Sequence, residues 1–144
     1  MNNEEHRALM ASFGEILTTG QYERLREFYH PDVVAEFPQS GERFRGPDGL
    51  IGQFQNYPGN LNDTKMSDVI GGTSYALTPM YTVVAVEGSG DSGTAIYRTR
   101  YPDGSMWWVI NLYELKDGRV AKLRIFFAED FEAPAWREAF WDKS

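Results

Sequence analysis

Two Asp-Gly turns constrain this chain more than any other feature. They sit in "TAIYRTRYPDGSMWWVINLYELKDGRVAKLRIFF", residues 94 to 127. Apolar and polar residues alternate through 94–101, 106–115 and 119–127, and "YPDGS" and "LKDGR" interrupt the alternation. A period of two is a strand signal, and connections this short can join only antiparallel neighbours. A two-residue Asp-Gly turn would make Pro102 a paired residue that lacks the N–H its partner needs. A three-residue loop with Gly104 left-handed is therefore expected, and the same loop is expected at Lys116-Asp117-Gly118.

Side-chain faces follow from those loops, because cross-strand pairs share a face. Tyr101 is expected opposite Ser105, Thr99 opposite Trp107, Tyr97 opposite Val109 and Ala95 opposite Asn111. In the second hairpin Leu115 is expected opposite Arg119, Tyr113 opposite Ala121, Asn111 opposite Leu123 and Val109 opposite Ile125. One face then collects Tyr97, Trp107, Asn111, Tyr113, Leu123, Ile125 and Phe127, and suits packing under helices. The other mixes Ile96, Trp108, Ile110, Leu112 and Phe126 with Arg98, Arg100, Lys122 and Arg124. That mixture suits a subunit interface, so a homodimer through this face is expected.

Upstream the period is 3.6. Leu9, Phe13, Ile16 and Leu17 form one stripe of a helix over residues 4–18, ended by Thr18-Thr19-Gly20. A short helix over 21–29 carries Tyr22, Leu25, Phe28 and Tyr29, and stops at His30-Pro31-Asp32. "VVAEF" reads as a strand. "RGPDGLIGQFQNY" reads as a third helix, with Pro47 in its first turn and Pro58-Gly59 closing it. Further strands are expected at 64–70 and 79–87, and a terminal helix near Pro134. Helices first and antiparallel strands after is the α+β pattern. The 144 residues fit one domain, residues 1–144.

The net charge of −7 argues against a nucleic-acid partner. The absence of cysteine excludes disulfides and thiolate metal sites. "MNNEEHRALM" carries acids where a signal peptide carries bases, and no run approaches the ~20 apolar residues of a membrane span. A cytoplasmic protein without a membrane partner is the expectation. Two distant histidines lack metal-ligand spacing, so neither a metal nor another cofactor is expected. His6, in a polar stretch, is expected at the surface.

"EFPQSGERFRGPDGLIGQF", residues 36–54, combines Phe37, Phe44, Leu50, Ile51 and Phe54 with turn-forming polar groups. It reads as the lip of a small-molecule pocket, with Gln39, Ser40 and Glu42 as a polar rim or as simple turn chemistry. Asn111 sits within the apolar alternation "WWVINLYEL". Its amide must bond either a ligand or a neighbour such as Tyr97. His30 reads as a general base or as a turn histidine. Glu36 is the acid nearest the pocket wall, although strict alternation turns it away from Phe37.

The helices, the strand within "YHPDVVAEFPQSGERFRG" and the closing "LYELKDGRVAKLRIFF" resemble the nuclear transport factor 2-like superfamily, in its SnoaL-like branch. That resemblance implies a cone-shaped α+β fold, with a pocket between the N-terminal helices and a curved antiparallel sheet. Ketosteroid isomerase, a member, uses a carboxylate base, a tyrosine and a protonated Asp. Its pattern falls here on about Phe37, Phe13 and Asn111, and none of the three matches. The expected pocket is lined by Phe13, Phe37, Phe54, Tyr57, Tyr97, Trp107, Asn111, Tyr113 and Phe127. The expected function is binding of a small apolar or aromatic molecule. The alternative is a cofactor-free cyclase or isomerase acting on an enolisable ketone, with Asn111 as oxyanion donor and His30 or Glu36 moving the proton.

Overall fold

The computed structural model describes residues 1–58, 81–101 and 103–144. The strand expected at 64–70, the first residues of the one expected at 79–87, Gly59 and Pro102 lie outside them. Helix α1 spans Asn3–Thr19. Its start is a capping box: Asn2 Oδ1 accepts from the Glu5 N–H at 2.8 Å, and the Asn2 N–H donates to Glu5 Oε1 at 3.3 Å. Gly20 ends it in the left-handed region, at φ 70°. The helix expected at 21–29 is shorter, a 3-10 turn at Tyr22–Arg24 followed by α2, Leu25–Phe28. Tyr29 is already extended, and β1 runs Tyr29–Phe37, well beyond "VVAEF". A turn then leads into β2, Glu42–Arg45, which was expected only as rim, and into α3, Pro47–Gln55. Strands β3 (Tyr81–Ser89), β4 (Ser92–Arg100), β5 (Met106–Lys116) and β6 (Arg119–Glu129) follow.

The six strands form one sheet in the order β2-β1-β6-β5-β4-β3. The β1–β6 pair is parallel and the other neighbours are antiparallel, so the sheet is mixed. α1 lies against β3, and α3 against β1 and β2. The core between helices and sheet includes Leu17, Leu25, Val33, Leu50, Ile51, Ala95 and Val120, all buried. No helix among the described residues is long and apolar enough to cross a membrane.

In the first hairpin the expected pairs are the observed ones, from Thr99 opposite Trp107 to Ala95 opposite Asn111. The Tyr101 N–H donates to the Ser105 carbonyl at 3.0 Å, and Gly104 has φ 85°. The second hairpin differs. Lys116 pairs Arg119 across a two-residue turn with Asp117 at φ 54° and Gly118 at φ 76°. Positive φ at both positions is the geometry of a type I′ turn, which suits the strand twist. Ala121 is then an extra residue between the Leu115–Val120 and Glu114–Lys122 pairs. Turn and bulge together shift the expected pairing by two residues, so Asn111 faces Ile125 and Tyr113 faces Leu123. A shift of two leaves every side chain on its expected face.

Two further expectations fail. The terminal segment forms only a 3-10 turn at Ala135–Arg137. His6 is fully buried. Its Nε2 lies 3.0 Å from the Gly90 carbonyl and its Nδ1 lies 2.9 Å from the Tyr113 hydroxyl. A carbonyl only accepts, so Nε2 carries the proton, and in the neutral ring Nδ1 accepts from Tyr113. Gly88 and Gly93, paired across β3 and β4, make room for this contact. A Cβ on Gly88 would come within 2.5 Å of the His6 ring, and one on Gly93 within 2.2 Å of the Tyr113 hydroxyl oxygen.

Candidate functional site

A cavity of about 270 Å³ opens between the helices and the inner face of the sheet. α1 contributes Met10 and Phe13, α2 Phe28, β1 Tyr29 and Phe37, and α3 Gln53 and Phe54. Strand β5 contributes Trp107, Val109, Asn111 and Tyr113, spaced two apart as alternation requires. β6 contributes Leu123, Ile125 and Phe127 by the same rule. All nine residues expected around a pocket, Phe13, Phe37, Phe54, Tyr57, Tyr97, Trp107, Asn111, Tyr113 and Phe127, line this one cavity.

The lip behaves differently from its sequence reading. Leu50 and Ile51 are core residues. Phe44 packs on Phe37, with ring centres 4.9 Å apart, from outside the cavity. Gln39 holds the lip shut against β6. Its amide nitrogen donates to the Phe127 carbonyl at 2.7 Å, and its amide oxygen accepts the Phe127 N–H at 2.6 Å. That side chain acts as a short strand partner, and it fixes Phe127 against Phe37 at 5.3 Å between ring centres.

Asn111 is the polar residue of the deep wall. It is 7% exposed and hydrogen-bonds the Tyr97 hydroxyl. Its Oδ1 is buried and has no hydrogen-bond partner among the described residues, so the amide N–H₂ makes the Tyr97 bond. The Tyr97 hydroxyl donates onward to Met10 Sδ at 3.1 Å. Burial raises the pKa of Tyr29 and of Tyr97 above the ordinary phenol value, and pushes Tyr113 up to about 12. The phenols of the inner wall are neutral near pH 7. They can donate or accept hydrogen bonds but do not act as bases there.

The mouth is built from Tyr57, Tyr101, Asp103, Ser105 and Trp107. Tyr57 stacks on Tyr101 at 5.6 Å between centres, and Tyr101 meets Trp107 edge-on at 5.9 Å. The indole N–H of Trp107 donates to Ser105 Oγ at 2.7 Å, and that hydroxyl donates to Asp103 Oδ1. The Ser105 hydroxyl, and then its N–H, hold the Asp103 carboxyl below the usual range, so it is an anion at neutral pH. The strand alternation assigns no acid to the inner face. Asp103 reaches the cavity from a loop, where alternation gives no guide. The turn sequence "PDGS" beside "MWW" is the only signal that could have marked it.

His30 and Glu36 do not line the cavity. His30 Nδ1 accepts the Asp32 N–H at 3.0 Å, and its Nε2 lies 3.5 Å from Asp117, at the β5–β6 turn. This is the turn-histidine arrangement. Glu36 points to the outer side, 3.4 Å from Arg43. No cluster of three His, Cys, Asp or Glu residues suited to a metal occurs among the described residues.

No curated protein matches the sequence. Solved structures do. An "NTF-2 like protein of unknown function" from Burkholderia xenovorans LB400 is 21% identical, with a TM-score of 0.74 over 100% of this chain and 98% of its own. A "putative ketosteroid isomerase" from Kribbella flavida DSM 17836 is 23% identical, with a TM-score of 0.73 over 99% and 91%. An LEH-like epoxide hydrolase from M. tuberculosis is 17% identical, with a TM-score of 0.57 over 88% and 84%. These likenesses establish the fold, and the fold hosts many functions. The model of the SnoaL-like domain matches residues 10–123, most of the chain and nearly all of the cavity wall, and the chain therefore belongs to the SnoaL-like family.

Proposed function

We propose that the cavity binds a small, neutral, largely aromatic molecule that carries one hydroxyl or N–H donor. The unpaired Asn111 Oδ1 carries this reading. A buried acceptor without a partner costs ~1–3 kcal/mol, and a ligand donor relieves that cost on entry. The volume of about 270 Å³ holds roughly nine waters at ~30 Å³ each, which sets the ligand at about ten non-hydrogen atoms. Aromatic walls supply contact area, and the amide supplies orientation.

The second reading, a cofactor-free isomerase or cyclase, draws on one observation, the ionised Asp103 at the mouth. A carboxylate held below its usual pKa is a weak general base, and this one is solvent-exposed. The ketosteroid isomerase pattern, laid on this chain by resemblance, falls at about Phe37 for the base and about Phe13 for the tyrosine, and both residues line this cavity. Phenylalanine moves no proton, so binding is the better-supported function. Calorimetric titration with a phenol and its methyl ether tests the reading. The phenol binds more tightly if Asn111 Oδ1 accepts a hydrogen bond from its hydroxyl. Equal affinity, or turnover of a small unsaturated ketone by the unmodified protein, overturns it.

A further inference from the structure

Among the described residues, four of the six exposed large hydrophobic side chains lie in the C-terminal segment. Past β6, every described residue to Ser144 except Pro134 is exposed. Phe131 is 80% exposed, Trp136 73%, Phe140 82% and Trp141 45%. Four large aromatics in eleven residues do not stay in water without a reason. The same segment is acidic, with Asp130, Glu132, Glu138 and Asp142 against Arg137 and Lys143.

The outer face of the sheet has the opposite character. The register aligns Ile96, Ile110 and Phe126 in a row across β4, β5 and β6, with Leu112 in the next row beside Arg124. Leu112 is 40% exposed. Arg98, Arg100, Lys122 and Arg124 surround this apolar centre. Asp130 roots the segment at the rim of the face. Its carboxylate takes two N–H bonds from the Arg98 guanidinium, which lies 4.7 Å from the Trp108 ring centre.

We propose that residues 131–141 are an arm that lies on the outer sheet face of a second copy of this chain, and that the exchange is reciprocal. The aromatics cover the partner's Ile96, Ile110, Leu112 and Phe126. The acids of the arm meet Arg100 of the partner subunit and Arg124 of the partner subunit. One chain carries both complementary surfaces, which is what a closed two-fold pair requires. Reach is sufficient. Phe131 to Trp141 extends to roughly 35 Å at ~3.5 Å per residue, and six strands ~4.8 Å apart span roughly 24 Å. Area is sufficient as well. Four aromatics per arm at ~150–250 Å² each, with two arms, bring up to roughly 1,200–2,000 Å², the range of a stable interface.

Sedimentation velocity on the whole chain tests the arm. The unmodified protein is expected to be a dimer at micromolar concentration. The Trp136→Ser/Phe140→Ser variant changes only side chains exposed in the monomer. It is expected to keep the same circular dichroism and to dissociate at least a hundredfold more readily. Hydrogen exchange of the unmodified protein needs no variant. Protection of 131–141 and of the 96–112 strands is expected to rise together with protein concentration. A monomeric unmodified protein overturns the proposal. So does an arm variant that dimerises within threefold of the unmodified protein, or a dimer whose arm stays unprotected; either result indicates a plain face-to-face pair.

Discussion

Replacing Asn111 with Leu separates the two ends of its amide, because the fold uses one and leaves the other unspent. The N–H₂ bond to Tyr97 is worth ~0.5–1.5 kcal/mol, and its loss leaves the phenol with its bond to Met10 Sδ. Removal of the orphaned Oδ1 returns ~1–3 kcal/mol. The sum lies between a loss of about 0.5 kcal/mol and a gain of about 2.5 kcal/mol, so the melting temperature falls by no more than a few degrees or rises by several. Affinity moves the other way. A phenol entering the leucine variant buries its hydroxyl without an acceptor and loses ~1.5–3 kcal/mol, roughly tenfold to a hundredfold. Its methyl ether makes no such bond and keeps its affinity. Paired titrations of the two probes, with thermal melts of both proteins, read these quantities directly. Equal losses for phenol and ether would refute the acceptor role. A melting temperature lower by more than about 5 °C would show that Oδ1 is satisfied in the folded protein.

Phe37→Trp narrows the cavity beside Phe127 and is expected to weaken aromatic probes about tenfold, with an unchanged fold by circular dichroism. Unchanged affinity would move the ligand away from β1. Gly88→Ala or Gly93→Ala sets a methyl group within 2.5 Å or 2.2 Å of the His6–Tyr113 pair, and each is expected to cost ~2–3 kcal/mol, read as a clear drop in melting temperature. In alkali the folded-state pKa of Tyr113, about 12, lies above its unfolded value near 10. Its contribution to stability is full below about pH 10 and is lost as pH rises toward 12, with Tyr29 and Tyr97 acting in the same direction. Ultraviolet titration should show Tyr29, Tyr97 and Tyr113 ionising only with unfolding. A single transition near pH 10 without loss of structure would contradict the burial.

Local signals carried the hairpins, because the Asp-Gly turns and the alternation are encoded within a few residues. They fixed which side chains of β4, β5 and β6 share the cavity. They did not reveal the two-residue turn or the Ala121 bulge, each of which shifts the pairing by one residue in the same direction, so that the faces survive a total shift of two. Long-range contacts were not legible. The burial of His6 is created by Gly88 and Gly93 on a hairpin more than eighty residues away, and nothing in "MNNEEHRALM" announces it. Asp103 reached the site from a loop tip, beyond any periodicity. The terminal helix failed for a different reason. A short amphipathic segment stays helical mainly through the surface that buries its apolar face. Within one chain "EAPAWREAFW" has none.

The polar groups around the cavity sort by what the fold already asks of them, and that sorting orients the proposed ligand. Tyr113 is spent on His6, and Tyr97 is spent on Asn111 and Met10. Ser105 and the Trp107 indole are tied to Asp103. Deep in the wall the unspent Oδ1 of Asn111 accepts a proton donor but offers nothing to an anion. At the mouth the ionised Asp103 repels negative charge, in a chain whose net charge is −7. A carboxylated ligand therefore meets repulsion at the entrance and finds no cation among the described residues of the wall. Its neutral amide or alcohol counterpart meets neither penalty. Binding should favour the neutral member of each such pair. Asp103→Asn should narrow that preference by raising the affinity of the acid and leaving the neutral ligand unchanged, an effect that fades as salt screens the exposed carboxylate. Calorimetry with an arylacetic acid and its amide, at low and high salt, reads the preference. An acid that binds the unmodified protein as tightly as its amide would place a cation at the site and overturn this orientation.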